Sequence, residues 1–97
     1  MRPVQFADIE AALRHLLSAP ADRRWLDMAD LCARADIANR HRRRTGTRHP
    51  GFGDGTLMAA ALGQGIAPRP THCSDDVLAC LQIVTTVLRA KQGHHDL

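Results

Sequence analysis

The chain has 97 residues, enough for one small domain, and 44% of them are hydrophobic, enough for a core. Its formal charge is +3 with histidines neutral, a mild excess that many soluble proteins share and that selects no partner by itself. The aromatic residues are only Phe6, Trp25 and Phe52, so the core must be mostly Leu, Ala, Ile and Val, a composition that favours helices over sheets.

The three cysteines, Cys32, Cys73 and Cys80, are odd in number, and two fall at expected core positions. Met1 to Phe6 has no apolar run behind a basic start, and no stretch approaches about 18 apolar residues. The expectation is therefore a cytoplasmic protein with free thiols and no membrane span.

In chain order, a first helix is expected over 6–18, with Ile9, Ala12, Leu13, Leu16 and Leu17 on one stripe and Asp8 and Glu10 in the first turn. The short Ser18–Pro20 link makes it an antiparallel neighbour of the next helix. That second helix, about 20–44, is the long central one; Pro20 suits its start and Gly46 its stop. Wound at about 100° per residue, it carries Trp25, Leu26, Ala29, Cys32, Ala33 and Ile37 on one broad face, extended on the other side by Met28, Leu31 and Ala35. Only Asp27, Asp30, Arg34 and His41 make a wet stripe. A helix apolar around most of its girth should be enclosed by its neighbours. Trp25, Leu26, Ala29, Ala33 and Ile37 are thus expected to be buried beside Leu13, Leu81 and Leu88.

The stretch 45–55, TGTRHPGFGDG, is a shaped loop. Asp54 is the expected N-cap of a short third helix at 55–62, which Gly63 and Gly65 end. Residues 66–73 are extended by Pro68 and Pro70. Ser74 caps a last helix over 75–91, with Asp75 and Asp76 in its first turn and Gly93 beginning a tail, 93–97. Its β-branched run, Ile83 to Val87, would also suit a strand, but the length, cap and basic end favour helix. The fold class is all-α: a single four-helix domain.

Of the chemistry-bearing features, the arginine cluster stands first. Arg40, Arg42, Arg43 and Arg44 lie within two helical turns, and Arg48 follows in the loop. Such a cluster can hold phosphate, nucleic acid or an acidic partner, or it can be a solvated helix end where the dipole favours cations. Asp36 and Arg40, four residues apart, are expected to form a structural ion pair, which leaves Arg42, Arg44 and Arg48 for a polyanion. Interleaved aromatics, the stacking platform of single-strand binders, are missing. The loop HPGFGDG lacks the GxxxxGK[ST] pattern of a P-loop, and Asp54 would repel an anion, so it reads as a rigid turn. His72, Cys73 and Cys80, even with His41 and His49, lack the spacing of a zinc site. Nothing places a Cys–His nucleophile pair, so no catalytic residue, metal or cofactor is expected.

The stretch from Asp36 to Leu62 resembles a family of short, uncharacterised alphaproteobacterial proteins. The shared pattern is RHRRRTG, HP, a glycine turn with GDG, and LMAAAL; the MRPV start also fits. Phe52 stands where that pattern has a tryptophan. The resemblance implies a bacterial cytoplasmic protein and assigns no active or binding residue.

Together these features point to a small non-enzymatic binding module whose Arg-rich helix end contacts a polyanion, DNA among the candidates, as in a regulator or a phage-like DNA-packaging accessory. The alternative is a protein–protein adaptor or regulatory subunit that docks through apolar helix faces without nucleic acid. A homodimer using part of the last helix is expected in either case.

Overall fold

The structure is a computed structural model that describes residues 1–95. Helix α1 (Phe6–Leu17) begins with a reciprocal closure: the Gln5 N–H donates to Asp8 Oδ2 at 2.8 Å, so the third residue of the helix satisfies an orphan donor behind it. The chain then turns through Pro20 and one 3₁₀ turn, Ala21–Arg23, into α2 (Arg24–Thr45). Gly46, at φ 75°, closes α2 in the left-handed region, and its N–H donates to the Arg42 carbonyl at 2.8 Å. Helix α3 (Leu57–Gln64) is short, and α4 is Asp75–His95. Among the described residues there is no strand, only an isolated antiparallel bridge between His49 and Gly53.

Helix α1 packs against the other three helices, and α2 also touches α3 and α4. Leu16, Met28, Leu31, Leu57 and Val84 are the largest side chains in the dry interior. Helix α4 buries Val77, Cys80, Ile83, Val84 and Leu88, while Leu81 and Val87 lie partly buried at the core's margin. Little apolar surface is left on α4. It also continues through Gly93, where the tail was placed; one helical glycine costs only about 1 kcal/mol. Asp96 and Leu97 of that tail lie outside the described residues.

The buried face of α2 is centred on the extension of the expected face, with Met28, Leu31 and Ala35, and of the expected face itself only Cys32 is in the core. Met28, Leu31, Cys32, Ala35 and Ala38 face the core, whereas Trp25, Leu26 and Ile37 are 52%, 64% and 39% exposed. Ala29 and Ala33 are exposed with them. The physical reason is that α2 has two apolar arcs, one on each side of its wet stripe, so periodicity does not choose between them. The buried arc is the one that also carries Arg24. This guanidinium is itself buried: Nε donates to the Leu16 carbonyl at 3.1 Å, and Nη1 and Nη2 donate to Asp76 at 2.7 and 3.1 Å. One side chain thereby ties the C-terminus of α1 and the first turns of α2 and α4. Turning α2 around would withdraw it and put the small Ala35 and Ala38, which allow close helix approach, in water.

Helix α3 is held by two polar devices. Its N-cap is Thr56, whose hydroxyl accepts from the Ala59 N–H at 3.1 Å. Asp54, expected in that role, instead accepts from the Thr56 N–H at 3.0 Å and its hydroxyl at 2.7 Å, so it orients the cap from one step outside. The second device is Asp8, only 3% exposed, whose Oδ1 accepts from the Met58 N–H at 2.9 Å. Ser74 does cap α4, accepting from the Val77 N–H at 3.3 Å.

Candidate functional site

The arginine end of α2 projects from the helix bundle. Arg40, Arg42, Arg43, Arg44 and Arg48 are all exposed, and none takes part in an ion pair among the described residues. The expected Asp36–Arg40 pair is not formed. Asp36 is taken on one oxygen by the Met1 amino group and on the other by Lys91 Nζ at 3.1 Å. The chain start and α4 both reach this carboxylate from the core side, whereas Arg40 leaves α2 farther round toward solvent. Burial pushes the Asp36 carboxyl up, but the two ammonium hydrogen bonds outweigh it and hold the group below the ordinary carboxylate range.

The arginines do not act as one set. At about 100° per residue, Arg40, Arg43 and Arg44 fall within an arc of about 100°, and Arg42 sits about 160° from Arg40 and Arg44. Arg40, Arg43 and Arg44 line one groove with Ile37. Arg40 and Arg43 also edge a neighbouring groove of about 530 Å³, which Arg2, Asn39, Leu88 and Lys91 help to form. Five cationic side chains from three parts of the chain thus border the two adjoining grooves, Arg2, Arg40, Arg43, Arg44 and Lys91, with the Asp36 carboxylate, held by Met1 and Lys91, in the same lining. Sequence reasoning missed Arg40 and Arg43 because it gave Arg40 to Asp36, and missed Arg2 and Lys91 because they come from distant positions.

Arg48 belongs elsewhere. It borders a separate groove with His49, Pro50, Met58 and Leu62. Hydrogen bonds from Thr56 are the main cause of the lowered Asp54 carboxyl, with the charges of Arg2 and Arg48 adding to them. Of the three residues first assigned to a polyanion, Arg42, Arg44 and Arg48, the structure keeps only Arg44 on the main basic surface.

The loop after the arginines is pinned rather than mobile in design. His49 Nδ1 accepts from the Gly51 and Phe52 N–H groups at 3.0 and 3.1 Å. Phe52 stacks on His49 at 4.6 Å between ring centroids, and the Arg34 guanidinium lies 4.9 Å from the Phe52 ring centre. His41 meets His49 edge-on at 5.2 Å. Gly55, at φ 96°, lets the loop touch α2: a Cβ there would lie 2.9 Å from Asn39 Cα. The glycines therefore serve close approach and turn geometry, with no phosphate cradle needed to account for them.

Residues 2–88 match a family described as a domain of unknown function (DUF7742). The chain belongs to that family. No curated protein and no solved structure matches it. In this DUF7742 chain, no group of three or more His, Cys, Asp or Glu among the described residues is placed to hold a metal ion. Burial pushes the Cys32 and Cys80 thiols up, which suppresses the thiolate at both. Among the described residues, no helix is long and apolar enough to cross a membrane.

Proposed function

We propose that this chain is a small non-enzymatic binding module for a polyanion, with the phosphate backbone of duplex nucleic acid as its ligand. The observation that carries the reading is the set of exposed guanidiniums at the end of α2 with no acidic partner among the described residues. Arg43 and Arg44 are the principal contacts, with Arg40, Arg2 and Lys91 beside them and Arg42 and Arg48 peripheral. Guanidiniums are fork-shaped, permanently charged donors suited to phosphate oxygens.

The reading concerns backbone and not bases. Phe52 has Arg34 on its ring and His49 stacked against it, so it offers no free platform for a base. Binding should be indifferent to sequence and should weaken steeply with salt. Fluorescence anisotropy of a short labelled duplex at about 50 mM salt tests this, because that condition strengthens backbone association. Saturable binding that salt reverses is expected. A duplex left unbound at that salt would refute the reading.

A further inference from the structure

A helix inside a small domain ordinarily turns its apolar side inward and its polar side outward. Helix α2 does both, but it also carries a second apolar row beside its polar stripe. Opposite its buried arc it carries Trp25, Leu26, Ala29, Ala33 and Ile37, all exposed, over more than three turns. Among the described residues, the remaining exposed large apolar side chains, Phe6, Met58, Leu62 and Leu78, make no comparable row on one helix. Positions 26, 29, 33, 37 and 40 are three or four residues apart, the spacing that keeps side chains on one helix face, and the row ends in Arg40. Just before the other end of the row, in the 3₁₀ turn that leads into α2, stands Asp22, exposed and without an ion-pair partner among the described residues.

We propose that this face is a two-fold interface with a second copy of the chain, the two α2 helices running antiparallel. The row is complementary to itself only in that direction. With Ala29 of each copy facing Ala33 of the other, the small residues meet at the crossing. Trp25 and Leu26 then cover Ile37, and Asp22 faces Arg40 at both ends. A parallel pairing would bring the two arginine clusters together and align the helix dipoles. Among the described side chains of α4, Leu78 is the one large hydrophobic that is exposed, so that helix offers no comparable row.

One consequence rests on the polyanion reading as well. Antiparallel pairing puts the same flank of both helices on one side of the two-fold. Arg43 lies on that flank, 12 residues from the crossing, so the two copies of Arg43 stand about 36 Å apart at 1.5 Å per residue, close to one turn of duplex. The interface itself does not depend on DNA and is tested without it.

The experiment is sedimentation of the full chain without nucleic acid, at tens of micromolar, with Trp25 emission followed over dilution. A mass twice the 10.6 kDa of one chain is expected, with emission shifting to the red as the dimer dissociates. Ala33→Glu, at an exposed position, should leave the circular dichroism of the helices intact and raise the dissociation constant by at least about tenfold, since it buries a charge at the crossing. Asp22→Arg should also weaken the dimer, and Asp22→Arg combined with Arg40→Asp should restore it. Asp22 in the 3₁₀ turn and Arg40 near the far end of α2 are too far apart to pair within a chain, so rescue reports on the antiparallel contact. A monomer at every concentration would overturn the proposal. So would a dimer indifferent to Ala33→Glu, or charge reversals without mutual rescue.

Discussion

Replacing Asp8 by alanine removes two helix starts at once. Asp8 is 3% exposed; one oxygen accepts from the Gln5 N–H at 2.8 Å and the other from the Met58 N–H at 2.9 Å. A hydrogen bond to a charged acceptor is worth about 1.5–3 kcal/mol, and an orphaned buried donor costs about 1–3 kcal/mol. Gln5 is exposed, so water can replace its lost partner, and its share falls to the low end. Met58 N–H lies in the first turn of α3 beneath α1, where replacement is poorer. The sum is a loss of about 2–4 kcal/mol, which for a domain of this size lowers the melting temperature by roughly 10–25 °C. Asp8→Asn keeps one acceptor oxygen and should fall between. Thermal melts followed by circular dichroism measure both, and amide exchange at Met58 should accelerate most. An alanine variant within about 0.5 kcal/mol of the parent, the range of ordinary surface changes, would refute the double-cap account.

The orientation of α2 gives a second expectation: Leu31→Ala, on its buried arc, should cost about 2–5 kcal/mol, while Leu26→Ala, 64% exposed, should cost less than about 0.5 kcal/mol when measured on dilute chain. Equal losses would return α2 to the orientation first expected from the sequence. A third concerns acid. Asp36, Asp54 and Asp76 are all held below their ordinary range, Asp36 by the Met1 and Lys91 ammonium groups against the upward push of burial, Asp54 chiefly by Thr56, and Asp76 chiefly by Arg24. Folded-state values depressed below the ordinary value of about 3.9 favour the folded chain whenever the groups are charged, so that stability is present above about pH 4 and is lost as pH falls through the lower folded values. Urea midpoints should stay level from neutral pH to about pH 5 and fall below about pH 4; a midpoint that rises on acidification would contradict the assignment.

The helices were legible because local chemistry marks their ends. Pro20 and Gly46 bracket α2, and Ser74 with its two aspartates opens α4, all within a few residues of where the chain needs them. The direction in which α2 faces was not legible. Two apolar arcs of similar character flank its wet stripe, and the arc chosen is settled by Arg24, whose partners Leu16 and Asp76 lie in other helices. Asp8 looked like a dipole residue, because its contact with Met58 spans 50 positions and leaves no local pattern. The same holds at the basic surface. The i,i+4 spacing suggested that Asp36 holds Arg40, but a carboxylate takes whichever cations the tertiary fold delivers, and here those are Met1 and Lys91. What the sequence did carry was the density of arginine; its grouping depends on helical angle, which separates Arg42 from Arg40, Arg43 and Arg44.

The polyanion reading is tested most directly by the salt dependence of duplex binding in two triple variants of the full chain. One changes Arg40, Arg43 and Arg44 to Gln; the other changes Arg42, Arg48 and Arg69 to Gln, Arg69 lining neither basic groove and pairing instead with Glu10 at 2.8 Å. Both remove three positive charges, so general attraction falls equally. Each phosphate contact neutralised contributes about −0.9 to the slope of log K against log salt concentration. The account predicts that the first variant loses the slope of two or three contacts, about 2–3 units, and most of the affinity, whereas the second stays within about one unit of the parent. Equal losses in the two variants would contradict a built surface and leave only the overall charge of the chain.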